Sequence, residues 1–425
     1  MSIWTGFYKK SREERLAILQ KEELLSPERL NQLATNQQLP LEVADQMVEN
    51  LLGTLSLPLA LVPDVLIDGK VYQVPFATEE PSVVAAASFA SKIVKRSGGF
   101  TTTVHKRHMI GQVALYDVPD MLAAQTAILD QTDQLLELAN AAHPSIVKRG
   151  GGARTLRVEV VENTTPLLVA YLEVEPQEAM GANMVNTMCE ALAPVLEELT
   201  QGKRLMAILS NYATESLVTA TCAIDLRLLS RNTAEGLDLA EKIALASQFA
   251  QADPYRASTH NKGIFNGIDA VVLATGNDWR AIEAGGHAYA SRDGQYRGLA
   301  RWTLSEDKTQ LLGQLTLPMP IATKGGSIGL NPSVQVAHDL LGQPTAKELA
   351  RVIVAIGLAQ NLAALKALTS TGIQAGHMKL HAKSLALLAG ASSAETDRVV
   401  KELLSAQHMN LETATAILQN IRQEN

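Results

Sequence analysis

The stretch between Gly98 and Asn211 constrains the fold of this 425-residue chain more than any other part. Residues 109–118 read as a strand. Residues 119–142 read as a helix, with Met121, Leu122, Ile128, Leu135 and Leu136 recurring at helical spacing. Two alternating strands follow, 154–161 and 166–174, around the turn residues Glu162, Asn163 and Thr164. A helix over 181–199 and a strand over 204–209 complete a β-α-β-β-α-β order, the ferredoxin-like signature. Gly98-Gly99 and Ser210-Asn211 punctuate its two ends. The unit therefore reads as an insertion, with the flanking segments forming one larger domain.

The rest of the chain reads mostly as helix. Ser26-Pro27-Glu28 is an N-cap followed by proline at the first helical position. Pro40-Leu41-Glu42 opens a helix expected to run through Glu49-Asn50-Leu51-Leu52-Gly53, where glycine stops it. The alanine-rich residues 83–95 are expected to form the central buried helix. From residue 373 onward the chain is helical again, with a capping box at Ser392–Glu395, a cap at Asn410 and hinges at Gly372 and Gly376. The expected class is α+β. The large domain spans 1–107 and 212–373, the ferredoxin-like domain 108–211 and a small helical unit 374–425.

Composition removes several functions. The net charge of −7 argues against nucleic-acid binding, which needs clustered Lys and Arg, yet it leaves small anionic ligands open. Cys189 and Cys222 make no Cys-x-x-Cys pattern and read as free thiols. Residues 51–67 are interrupted by Pro58, Pro63 and Asp64, and 346–368 carry Glu348, Arg351 and Lys366, so no membrane span is expected. The start, Met1-Ser2-Ile3-Trp4, leads into a charged run rather than a secretory signal, and a cytoplasmic location is expected.

Chemistry concentrates in a few polar motifs. Lys262, in His260-Asn261-Lys262-Gly263, and Asp278, in Gly276-Asn277-Asp278-Trp279, flank the apolar residues 270–274. An ammonium and a carboxylate so placed suit the stabilisation of a developing oxyanion. Read alone, the two are a loop lysine and a turn. Thr78-Glu79-Glu80-Pro81-Ser82 supplies a candidate acid ahead of an apolar helix. Desolvation there would suit Glu80 to general-acid work, whereas the helix dipole would favour its ionised form; the residues alone allow both. Gly376-His377-Met378 offers a second proton donor. His377 and His381 have i, i+4 spacing but lack the His-Glu-x-x-His glutamate, and His105 and His108 lack companions, so no metal site is expected. Lys148 and Arg149 precede three glycines, without the spacing of a Rossmann loop. Met180-Gly181-Ala182-Asn183-Met184-Val185-Asn186 opens a helix whose N-terminus favours a pyrophosphate.

Together these motifs, in this order, resemble hydroxymethylglutaryl-CoA reductase of the soluble bacterial type, from about residue 49 to 381. The resemblance implies reduction of 3-hydroxy-3-methylglutaryl-CoA to mevalonate and CoA with two NAD(P)H, a reversible four-electron reaction. It implies Glu80, Lys262, Asp278 and His377 as catalytic residues, with Asp278 holding Lys262 charged and His377 protonating the departing thiolate. Ser82, Asn211, Arg256, Asn266 and Gln360 are the implied substrate contacts. Glu178, Met180, Gly181, Asn183 and Asn186 are the implied cofactor contacts; Glu178 stands where the family commonly has Asp. The Glu49–Gly53 pattern matches a dimer contact, so a homodimer or a higher assembly of dimers is implied. NADPH is expected to be used well and NADH remains possible, because the helix end at Asn140–His143 carries no acid and His143, Lys148 and Arg149 lie close in sequence. The rival enzyme reading is an acyl-CoA hydrolase or lyase using the same carboxylates without hydride transfer. A CoA-binding scaffold is the rival without chemistry.

Overall fold

The computed structural model describes residues 3–230, 232–370 and 374–423; the side chains of 374–377, 379, 380 and 393 also stand outside the described set. Strands β1 (Leu59–Ile67) and β2 (Lys70–Ala77) form an antiparallel hairpin. Its turn, Asp68-Gly69, has φ of 49° and 79°, the left-handed pair that a two-residue hairpin requires. The hairpin delivers the chain to Glu80 and then to the helix Val83–Arg96.

After β3 (Thr101–Val104) the chain builds β4 (Met109–Tyr116), β5 (Gly152–Val161), β6 (Leu167–Glu175) and β7 (Lys203–Ser210). These pair antiparallel in the order β5-β6-β4-β7, the ferredoxin-like sheet expected from sequence. The single helix expected over 119–142 is two, Met121–Asp130 and Thr132–Ala142. The break has a local cause: the Thr132 hydroxyl donates to the Leu129 carbonyl at 2.8 Å, competing with the helical ladder. Both segments and the helix Ala182–Thr200 enclose a core of Met109, Val113, Ile128, Leu135, Leu172 and Met188. A Cβ at Gly111 would lie 2.3 Å from the Cys189 sulfur, so glycine lets that helix settle on β4.

The strands β8 (Leu217–Asp225), β9 (Ala300–Leu304) and β10 (Gln310–Pro318) join β3 in the order β3-β8-β10-β9. The largest core lies between this sheet, the β1–β2 hairpin and several helices. Its centre is not the Val83–Arg96 helix. That helix buries Val83, Ala87, Ala90, Ile93 and Val94 on one face and leaves Phe89 49% exposed on another. The central helix is Ala346–Thr369, mostly apolar and buried almost throughout between Leu349 and Leu365. Its 24 residues have the length and hydropathy of a membrane span, but 72% of its apolar 18-residue stretch is packed inside the fold. All-round hydrophobicity marks a core helix as readily as a span.

The expected helix from Pro40 to Gly53 is one turn, Leu41–Ala44, followed by turns and extended chain. Val48, Leu52 and Leu55 are exposed there, so a longer helix would have no apolar surface of its own chain to pack against. At the other end, the helices Gln374–Leu388, Ser393–Leu403 and Leu411–Gln423 gather around a separate small core of Leu385, Val399, Leu403 and Leu418.

Candidate active site

Lys262 is not in a loop. It sits in the middle of the helix Pro254–Ala274, which Asp253 caps and Pro254 starts. Asn266 follows one turn later on the same face. The turn at Ser82, with φ of 76°, places Glu80 opposite that face. The Lys262 Nζ donates to Glu80 Oε2 at 2.5 Å, and the Asn266 amide donates to Glu80 Oε1 at 3.3 Å. The lysine side chain is 61% exposed and the glutamate 38%, so Glu80 is half-buried, as expected, while Lys262 opens the pair to solvent. An ion pair so exposed adds little stability. Its charges remain available to a ligand.

This pair borders a cleft of about 580 Å³ that Ser82, Arg256 and Gln360 also line. Four of the five expected substrate contacts, Ser82, Arg256, Asn266 and Gln360, therefore converge here. Gln360 is buried, and among the described residues its Oε1 receives no hydrogen bond, leaving an acceptor unsatisfied beside the cleft. Burial lowers the Arg256 guanidinium from its ordinary value. Burial, and then the Arg256 charge, push His260 down to about 4, so the floor beneath is neutral. Asn361 bonds the His260 ring and accepts from Trp302 Nε1 at 2.8 Å, fixing that floor. Lys366, with its ammonium 5.4 Å from the Phe89 ring centre, adds a cation at the rim that sequence did not single out.

Asp278 lies elsewhere. It caps the helix Trp279–Ala290, accepting from the amides of Arg280 and Ala281, and its charged neighbour is Arg280 at 3.5 Å. Among the described residues no hydrogen bond or ion pair joins it to Lys262 or Glu80, so the expected Asp278–Lys262 pairing is absent within one chain. Asp278 instead borders a second cleft, of about 660 Å³, together with Met180, Gly181 and Asn183. Gly181 precedes the helix Ala182–Thr200 with φ of 95° and, among the described residues, no side-chain cap, a helix start of the kind that suits an anion. A Cβ there would come within 2.8 Å of Pro176. His143, Arg149 and Lys324 bring positive or protonatable groups to the same cleft.

Three expected contacts are used differently. The Glu178 carboxylate accepts from the Thr323 hydroxyl at 2.6 Å and from the Ala346 amide at 2.7 Å. It borders the second cleft but is committed to tying the ferredoxin-like unit to the central helix. The Asn186 side chain accepts from the Leu209 amide at 2.8 Å and does not line the cleft, because it fastens its helix to β7. Asn211 lines neither described cleft; its carbonyl packs against Gly285 on the helix that Asp278 caps. His377 lies on the helix Gln374–Leu388, but its side chain falls outside the described residues. His105 bonds Thr219 and His108 bonds Glu173. The loop Lys324–Ile328, lining the second cleft, escaped sequence reasoning, although the run Lys-Gly-Gly-Ser-Ile-Gly is a legible signal for close backbone approach.

The family model described as hydroxymethylglutaryl-coenzyme A reductase matches residues 11–382. The chain belongs to that family. It is 45% identical over 418 residues to the 3-hydroxy-3-methylglutaryl-coenzyme A reductase of Archaeoglobus fulgidus, covering 98% of this chain and 94% of that protein. A probable 3-hydroxy-3-methylglutaryl-coenzyme A reductase of Borreliella burgdorferi is 33% identical, with 89% and 87% coverage. Among solved structures, the Streptococcus pneumoniae reductase superposes with a TM-score of 0.87 at 65% identity, covering 99% of this chain and all of that one, 100%. A class II structure from the same organism, bound to NADPH in open conformations, gives 0.86 at 65% identity, with 87% and 100% coverage. The chain is thus an NAD(P)H-dependent reductase that converts hydroxymethylglutaryl-CoA to mevalonate. The hydrolase, lyase and scaffold readings fall away.

Proposed function

We propose that a complete reductase site is assembled from two copies of this chain. Glu80, Lys262 and Asn266 of one subunit form the substrate side, and the cofactor cleft with Asp278 of the partner subunit faces it. The separation of Asp278 from the Lys262–Glu80 pair carries this reading, since one chain alone leaves the charge constellation incomplete. The exposed apolar strip of Met47, Val48, Leu52, Leu55 and Leu57 supports the same assembly, because a patch of that kind marks a contact surface. Sedimentation of the active protein should give a dimer or a multiple of it; a fully active monomer would overturn the proposal.

Arg256, Ser82 and Gln360 bind the substrate. The guanidinium is the bidentate clamp for its free carboxylate, and the unsatisfied Gln360 oxygen accepts from a hydroxyl. Lys262 faces the thioester oxygen and stabilises its developing charge in both reductions. Glu80 donates the proton to that oxygen in the second reduction, held in place by Lys262 and Asn266. Between the two, His377 protonates the departing CoA thiolate, whose thiol has a pKa of about 8.5. The helix end at Gly181, with Met180, Asn183 and the Lys324–Ile328 loop, fits a dinucleotide, and the bound nicotinamide supplies hydride to each reduction. His377→Gln should slow thioester reduction about a hundredfold, the low end for general-acid catalysis. It should spare much of the reduction of free mevaldehyde, where no thiolate leaves; equal loss of both in NADPH-absorbance assays would place His377 with the oxyanion group.

NADPH is the favoured cofactor in this reading. Arg149, Lys324 and His143 border the cleft, while the Glu178 carboxylate is occupied by its own bonds. Arg149→Ala should raise KM for NADPH about tenfold, roughly the 1.4 kcal/mol of one charge-assisted contact, and leave KM for NADH nearly unchanged. A comparison of the two KM values checks this, and a strong wild-type preference for NADH would reverse it.

The division into a large domain (1–107 and 212–373), a cofactor domain (108–211) and a C-terminal unit (374–425) is supported by separate apolar cores for the three. The free, buried Cys189 and Cys222 support a reducing, cytoplasmic location.

A further inference from the structure

We propose that Asp269 and Glu283 share one proton across the contact between the helices Pro254–Ala274 and Trp279–Ala290, and so act as positioning residues for Lys262 and Asp278. Asp269 belongs to the same stripe as Lys262 and Asn266, two turns beyond the lysine. The facing helix presents Glu283 and, one turn on, His287. The helices are in close contact. Phe265 packs on the His287 ring with centres 4.8 Å apart, and a Cβ at Gly286 would come within 2.5 Å of the Phe265 ring.

Asp269 Oδ1 is buried, and no nitrogen or hydroxyl donor among the described residues reaches it. Its side-chain partner is the Glu283 carboxyl. Two ionised carboxylates have no hydrogen to place between them, so the contact requires one to be protonated. Burial is the larger cause holding the Asp269 proton, followed by the Glu283 charge and the hydrogen bond, and together they raise it to about 8. The charge that acts on Asp269 from the facing helix is that of Glu283. Tyr296, itself pushed up by burial and then by Glu283, bonds His287 at 2.7 Å and closes the far side of the contact.

The tie lies between the two clefts. Asn266, three residues before Asp269, lines the first, and Ile282, beside Glu283, lines the second. With one proton the helices are joined by an O–H···O⁻ bond. With none, like charges push them apart. Each chain contributes Lys262 to one composite site and Asp278 to the other, so a shift between these helices displaces both. That consequence for turnover rests on the site proposed above; the shared proton does not.

The test uses the full-length enzyme and two readouts. Infrared titration in heavy water should show a protonated carboxyl band at neutral pH that disappears near the alkaline limb and is missing from Asp269→Asn. Reduction of free mevaldehyde, which needs no thiolate protonation, should fall about tenfold per pH unit above that limb in the wild type. Asp269→Asn keeps an N–H donor to Glu283 at every pH, so the limb should be abolished. Should that variant not fold, Glu283→Gln provides the same donor from the other helix. No carboxyl band in the wild type would overturn the shared proton. A band with an unaltered limb in both variants would overturn the positioning role. Failure to oxidise NAD(P)H with any substrate would instead fault the proposed site and leave the band in place.

Discussion

Lys262→Ala is expected to lower kcat for hydroxymethylglutaryl-CoA reduction by about a thousandfold, the upper range for deleting one oxyanion donor. The loss should be similar with mevaldehyde, because in the proposed mechanism both reductions load charge onto an oxygen at the same place. Two effects combine. The ammonium proposed to neutralise the oxyanion is gone, and Glu80 loses its 2.5 Å partner, keeping the 3.3 Å bond from Asn266. Lys262→Arg should recover little, since a planar fork does not reproduce a compact ammonium on a short reach. Folding should hardly notice the change. The pair is 61% and 38% exposed, and such pairs contribute about 1 kcal/mol at most. In a chain of this size that moves the melting temperature by about 2 °C or less. Steady-state NADPH absorbance and a melting curve give the two numbers. A large fall in melting temperature would mean that the activity loss reports unfolding, and a loss under tenfold would remove Lys262 from the oxyanion.

Mixing two inactive variants should restore activity. Lys262→Ala leaves the cofactor cleft intact, and Gly181→Val leaves the Lys262 cleft intact. The second change is severe and local: position 181 has φ of 95°, and a Cβ there would press on Pro176 at 2.8 Å. After subunit exchange at equal amounts, about half of the dimers are mixed. Each mixed dimer has one site with both halves sound, so activity should recover from background to about a quarter of the wild type. A site built within one chain predicts no recovery at all. Assaying before and after exchange decides between them, with exchange itself confirmed by a mass tag on one variant.

The legible parts of the site were those written in contiguous residues. The glycine ahead of Ala182–Thr200 and the Thr78–Ser82 turn each sit within a few positions of the element they start, so local stereochemistry located them. The ferredoxin-like order was equally plain, because alternation and helical spacing are properties of short windows. Errors arose where burial decides. Residues 83–95 looked central because alanines pack closely, yet only the whole core shows that Ala346–Thr369 is enclosed on all sides. Lys262 looked like a loop residue because His-Asn-Lys-Gly is a poor helix sequence, and tertiary packing of Ile264, Phe265 and Ile268 overrides that preference. Glu178 and Asn186 carried motif positions, but their hydrogen-bond partners come from β7, Thr323 and Ala346, far off in sequence.

By itself, then, the sequence determined the ferredoxin-like strand order and the motifs that join this chain to the reductases, all carried by residues close along the chain. Tertiary structure alone decided which charges meet. Glu80 and Lys262 are 182 positions apart and touch, whereas Lys262 and Asp278, on successive helices, do not. An ion pair forms at a few ångströms in space, and separation along the chain says nothing about that distance once helices have packed.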